Sequence, residues 1–126
     1  MADLKMKILV VDDMSTMRRI IKNALKQLGY VNVDEAEDGQ IALGAIRERT
    51  PDLVISDWNM PNMDGLGLLK EIRGDATFGK LPVLMVTAQA EQKYVLEAIK
   101  AGATNYVVKP FTAEILKQKI EKIFPN

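Results

Sequence analysis

Five short apolar or β-branched runs recur along the chain: Met6 to Val11, Val31 to Val33 with Ala36, Leu53 to Ile55, Val83 to Val86, and Tyr106 to Val108, each followed by a stretch of helical spacing. Such alternation is the mark of repeated βα units, because parallel strands joined by crossover helices are covered on both faces and read as continuous apolar runs. The first helix is expected from Ser15, whose hydroxyl can cap free N–H groups, with Met17, Ile20, Ile21, Ala24, Leu25 and Leu28 on a core face before Gly29 ends it. The second should run from about Gly39 to Arg49 with Ile41, Ala42, Ala45 and Ile46 inward, closed by Pro51. The third should run from about Met63 to Gly74, presenting Leu66, Leu69 and Ile72. The fourth should run from about Glu91 to Ala101, presenting Val95, Ala98 and Ile99 before Gly102 stops it. The last, Thr112 to Phe124, is expected to start on a capping Thr112 and to bury Ile115, Leu116, Ile120 and Ile123.

With right-handed crossovers, five such units form an α/β, doubly wound, three-layer (βα)5 fold, and the flavodoxin-like strand order 2-1-3-4-5 sets strands 1 and 3 side by side. A chain of 126 residues fits one domain spanning residues 1–126, with no room for an output domain. At that size roughly two-thirds of the unfolded surface can be buried. Lys plus Arg and Asp plus Glu both count 17, so no overall field draws the chain to nucleic acid or to an acidic membrane. The absence of cysteine and histidine excludes disulfides, zinc-finger sites, thiol chemistry and Ser/His or Cys/His nucleophiles. A metal here must be a hard cation held by oxygen. No long apolar segment follows the N-terminus, so a cytoplasmic, membrane-free protein is expected.

Asp12 and Asp13 close the first apolar run, and Asp57 closes the third. Ligands of open α/β sheets bind at the carboxyl ends of the strands, so adjacent strands 1 and 3 would gather three negative charges in one crevice. Like charges that close repel and raise each other's pKa values, unless a cation, a lysine or a reaction needs them. Thr87, after the fourth run, and Lys109, after the fifth, should reach the same edge. Three acids, a hydroxyl and an ammonium suit a divalent cation such as Mg²⁺ together with a phosphoryl group. Singly, each has a blander reading: Asp as helix cap or turn former, Thr as strand residue, Lys as solvated surface. Their conjunction favours a site.

The segments Lys7-Ile8-Leu9-Val10-Val11-Asp12-Asp13, Asp57-Trp58-Asn59-Met60-Pro61-Asn62-Met63-Asp64-Gly65, Val86-Thr87-Ala88 and Tyr106-Val107-Val108-Lys109-Pro110-Phe111 resemble the receiver domains of bacterial two-component systems, in order and over essentially the whole chain. Within that family the chain is similar to the stand-alone chemotaxis regulators. The resemblance implies a signalling phosphoacceptor rather than an enzyme, in which Asp57 takes a phosphoryl group from a phosphohistidine on a sensor histidine kinase. It implies that Asp13, Asp57 and the main-chain carbonyl of Asn59 ligate Mg²⁺, with Asp12 acting largely through a metal-bound water. It further implies that Lys109 pairs with a carboxylate before phosphorylation and with a phosphoryl oxygen after it. In this family Lys109-Pro110 would be a cis peptide, whereas the residues alone allow an ordinary strand-ending proline.

The resemblance also implies that Thr87 and Tyr106 form the switch, that Asn59 and Gln89 tune acyl phosphate lifetime, and that Ala90, Val95, Ile99, Tyr106, Lys119 and Lys122 form a surface for a flagellar motor switch protein. A phosphatase is a further partner, and the chain is expected to be monomeric. Without the family, Tyr106 reads as a partly buried edge aromatic, and Lys117, Lys119 and Lys122 as solvated charges near a helix C-terminus. Glu91 and Gln92 stand where chemotaxis members carry lysines, and Ile99 is bulkier than their alanine, which keeps open a phosphorelay intermediate serving another partner. Two other classes fit worse. An aspartate-nucleophile phosphohydrolase would place its two acids two positions apart after the first strand and carry a cap domain. A flavin carrier would have a Ser, Thr and Gly-rich phosphate loop where Asp12-Asp13-Met14 stands.

Overall fold

The computed structural model describes residues 3–87 and 92–125, with side chains of 92–94 left out of the description. Among the described residues ten elements alternate: β1 (Ile8–Val11), α1 (Ser15–Gln27), β2 (Val33–Ala36), α2 (Gly39–Glu48), β3 (Leu53–Asp57), α3 (Gly65–Arg73), β4 (Val83–Thr87), α4 (Gln92–Lys100), β5 (Asn105–Val108) and α5 (Ala113–Ile123). The strands form one parallel sheet in the order β2-β1-β3-β4-β5.

Side-chain alternation along the strands divides the interior into two cores. Leu9 and Val11 of β1, Val54 of β3, and Val83 and Met85 of β4 face a cluster completed by Ala42, Leu43 and Ile46 of α2, Leu68, Leu69 and Ile72 of α3, and Ala98 of α4. Their neighbours Ile8, Val10, Leu53, Ile55, Leu84 and Val86 face the opposite cluster, closed by Ile21 and Leu25 of α1 and Leu116 and Ile120 of α5. Both faces of the central strands are therefore dry, which explains their unbroken apolar sequence. Gly29 and Gly102, each with φ near +98°, end α1 and α4 by letting Tyr30 N–H return to the Leu25 carbonyl and Ala103 N–H to the Ala98 carbonyl, both at 2.9 Å.

Several local expectations are corrected. Ser15 is not the cap of α1: Met14 holds that position without a side-chain cap, and the preceding turn is instead fastened by Asp12 Oδ1, which accepts from Met14 N–H at 2.9 Å. Thr112 does cap α5, accepting from Ile115 N–H at 3.1 Å. β2 begins two residues later than expected, since Val33 pairs with Ile8 while Val31 lies exposed outside the strand. α3 starts at Gly65 rather than near Met63, capped by the Asp64 carboxylate on Gly67 N–H. Ile20 (48% exposed), Ile41 (51%) and Ile115 (40%) are not core residues. Each sits one step off the stripe carried by Ile21, Ala42 or Leu116, so helical periodicity admits it while the sheet does not reach it. Lys109-Pro110 is cis.

Candidate functional site

Register decides which side chains meet. Val11 pairs with Ser56, Asp57 with Val86, and Thr87 with Val108, so the carboxyl ends of β1, β3, β4 and β5 finish at nearly one level. Asp12 and Asp13 follow β1 directly, Asp57 and Thr87 are the last residues of β3 and β4, and Lys109 follows β5. Carboxylate oxygens of Asp12, Asp13 and Asp57 lie within 4.8 Å of one another. Lys109 reaches across from β5, its Nζ donating to Asp57 Oδ1 at 3.0 Å and standing 3.8 Å from Asp12 Oδ2. The lysine backbone is fixed as well, because Lys109 N–H donates to the Thr87 carbonyl at 2.7 Å.

Asp12 and Asp57 are buried, while Asp13 opens to solvent. Burial holds the Asp12 carboxyl above its ordinary value of 3.8; Asp57 and Asp13 push in the same direction, opposed by the Met14 N–H and Lys109. Among the described residues, Asp12 Oδ2 is the buried side-chain oxygen left without a hydrogen-bond partner. An unsatisfied buried oxygen beside two further carboxylates, in a chain without cysteine or histidine, fits a hard divalent cation with part of its shell left for water and phosphoryl oxygens.

The backbone next to Asp57 is tightly built. Trp58 N–H donates to the Val86 carbonyl at 3.2 Å and Gly65 N–H to the Trp58 carbonyl at 2.9 Å. A Cβ on Gly65 would fall 2.1 Å from the Asp57 carbonyl oxygen, so only glycine lets α3 begin this close to the strand end. The intervening loop is fastened to α2: Asn62, at φ 66°, donates through Nδ2 to Asp38 Oδ2 at 2.9 Å, and Gly39 N–H donates to the Met63 carbonyl at 3.1 Å. Asp38, whose other oxygen caps α2 on Ile41 N–H, was not singled out from sequence, although an Asp-Gly pair ahead of a helical run is a capping signal.

The remaining anticipated residues fall into two groups. Asn59 is exposed two residues past Asp57. Tyr106, half-buried, carries the Lys119 ammonium 4.8 Å above its ring centroid. Val95 is half-buried, while Ile99 and Lys122 are exposed. Gln89 and Ala90 lie outside the described residues, as do Ala88 and Glu91. Among the described residues no helix is long and apolar enough to cross a membrane.

Comparison with known proteins agrees with this geometry. The family model for the response regulator receiver domain matches residues 8–121. The chain is 56% identical over 119 residues to the chemotaxis protein CheY of Pseudomonas aeruginosa, covering 94% of this chain and 96% of that protein. It is 55% identical over 119 residues to chemotaxis protein CheY-3 of Vibrio cholerae, covering 94% and 92%. Among solved structures, the chemotaxis response regulator CheY4 of Vibrio cholerae matches with a TM-score of 0.87 at 33% identity, covering 95% of this chain and 99% of that one. The receiver domain of NtrX from Brucella abortus matches with a TM-score of 0.84 at 34% identity, covering 93% and 97%.

Proposed function

The chain belongs to the response regulator receiver family, and from that premise we propose that it is a phosphorylation-activated chemotaxis regulator that accepts a phosphoryl group on Asp57 and signals to the flagellar motor switch. The observation that carries the reading is the placement of Lys109 Nζ between Asp57, at 3.0 Å, and Asp12, at 3.8 Å, inside a cluster of three carboxylates.

In this reading a carboxylate oxygen of Asp57 attacks the phosphorus of a kinase phosphohistidine. The P–N bond breaks with its electron pair returning to the imidazole, and Asp57 becomes an acyl phosphate. Asp12, Asp13, Asp57 and the Asn59 carbonyl would hold Mg²⁺, which when bound neutralises charge on the phosphoryl oxygens. Lys109 exchanges its carboxylate partner for a phosphoryl oxygen, keeping an ammonium where negative charge accumulates. The Thr87 hydroxyl then donates to the new phosphoryl group, and Tyr106 turns inward to fill the space released. A contact made in one state only is what shifts a population between two packings. Asn59 and Gln89 would border the path of the water that later hydrolyses the acyl phosphate. Val95, Ile99, Tyr106, Lys119 and Lys122 of α4, β5 and α5, with Ala90, would form the docking face for a helix of the motor protein.

The test pairs phosphotransfer from a chemotaxis-type histidine kinase with binding to the motor switch protein, using native chain, Asp57→Asn and Tyr106→Ala. Label should reach the native chain and Tyr106→Ala but not Asp57→Asn, and only the phosphorylated native chain should bind the motor protein more tightly. Label that passes onward to a second histidine protein, with motor binding unchanged by phosphorylation, would replace the chemotaxis output with a phosphorelay role.

A further inference from the structure

The turn that carries Asp12 and Asp13 is held by a side chain that touches neither carboxylate. Arg18, one turn into α1, donates through NH1 to the Asp12 main-chain carbonyl at 2.8 Å and pairs through Nε with Glu35 Oε1 at 2.9 Å. Glu35, on the edge strand β2, takes Lys22 Nζ on its other oxygen at 3.0 Å. The Arg18 side chain is only 13% exposed, whereas Lys22 and Glu35 are well solvated, so the Lys22 contact is a surface pair of small worth and the Arg18 contact is a sheltered one.

Asp12 is thereby fixed at three points. Its N–H donates to the Ala36 carbonyl at 3.1 Å, its carbonyl accepts from Arg18, and its Oδ1 accepts from Met14 N–H. Only Oδ2 is left to the cluster. The main-chain torsions at Asp12 set the direction of its own carboxylate and of Asp13, so a group gripping that carbonyl sets the aim of two of the three acids.

We propose that Arg18, itself aligned by Glu35, is a positioning residue for the cation site: it holds the Asp12–Asp13 turn so that both carboxylates converge with Asp57. This rests on reading the acidic cluster as a Mg²⁺ site. The planar guanidinium suits the task because two of its nitrogens serve a carbonyl and a carboxylate at once, which the single ammonium of a lysine does not reproduce. A role through charge alone makes the opposite prediction, since removing a cation near the cluster would strengthen Mg²⁺ binding.

The experiment is calorimetric titration of Mg²⁺ into the unphosphorylated full chain, comparing native, Arg18→Lys, Arg18→Met, Glu35→Gln and the Arg18→Met/Glu35→Gln double variant, with Asp13→Asn as the control for the site. Positioning through the carbonyl weakens binding on the order of 10-fold in both Arg18 variants, as loss of a supporting contact around metal ligands does. Glu35→Gln weakens it less, and the double variant is no weaker than Arg18→Met, because Glu35 acts through Arg18. Tighter binding by Arg18→Met, unchanged binding, or full rescue by Arg18→Lys would overturn the proposal while leaving the Mg²⁺ site intact. Failure of the native chain to bind Mg²⁺, or undiminished binding by Asp13→Asn, would instead remove the site reading on which it depends.

Discussion

Asp12→Asn should make the metal-free protein more stable. The substitution keeps the shape of the side chain and the acceptor for Met14 N–H, and it removes a charge from a residue 1% exposed. With an effective dielectric constant of about 20, the Asp12 carboxylate gains about 4 kcal/mol from Lys109 at 3.8 Å. It loses about 3 kcal/mol to each of Asp57 and Asp13, whose oxygens lie within 4.8 Å. Repulsion exceeds attraction, and burial of the charge adds to the excess. Solvent around exposed Asp13 reduces its share, which leaves an expected gain of about 1–3 kcal/mol. Urea denaturation in chelator at neutral pH, followed by Trp58 fluorescence, should show the midpoint rising by about 1 M. The sign carries a pH signature. A carboxyl raised by folding costs stability as pH climbs from its unfolded value of 3.8 through the folded one, so the variant's advantage should vanish as pH falls below 3.8. Mg²⁺ should then narrow the gap, because at a concentration about 100 times Kd it stabilises the native chain by about 2.7 kcal/mol and the variant by less. A metal-free variant less stable than native, or one that Mg²⁺ stabilises equally, would refute both the electrostatic reasoning and the place of Asp12 in the cation site.

Gly65→Ala should cost about 2–3 kcal/mol and slow phosphorylation of Asp57 as well, since the new Cβ meets the Asp57 carbonyl oxygen at 2.1 Å and either β3 or α3 must shift; a thermal melt and a phosphorylation time course together check it. Thr112→Ala should lower stability by about 1 kcal/mol through loss of the α5 cap on Ile115 N–H, with the phosphorylation rate unchanged. Glu35 is held below its ordinary value of 4.5 by Lys22 first and then Arg18, so its stabilising contribution is present above pH 4.5 and fades as pH falls through the folded value. The stability difference between native and Glu35→Gln, measured by urea titration across that range, should narrow in acid.

Much of this arrangement is legible in the sequence because it depends on strand ends. Once five βα units and the order 2-1-3-4-5 are read, Asp12, Asp13, Asp57, Thr87 and Lys109 have to finish at one edge, and they do. What sequence does not carry is anything decided by partners distant along the chain. Arg18 and Glu35 are 17 residues apart on different elements, and Asn62 and Asp38 are 24 apart, so neither contact leaves a local pattern. Periodicity likewise overreaches at the edge of a stripe, as Ile20, Ile41 and Ile115 illustrate, because it records which residues could face inward and not how wide a surface the sheet offers. Ser15 is the first residue inside α1, one position past the cap site held by Met14, so its hydroxyl is not placed to cap the helix.

The most direct measurement is the intact mass of the chain after exposure to a small acyl phosphate donor, with and without Mg²⁺, for the native protein and Asp57→Asn. A receiver site centred on Asp57 predicts one base-labile phosphoryl adduct that requires Mg²⁺ and is absent from the variant. An unmodified native chain, or an adduct that persists in Asp57→Asn, would contradict it.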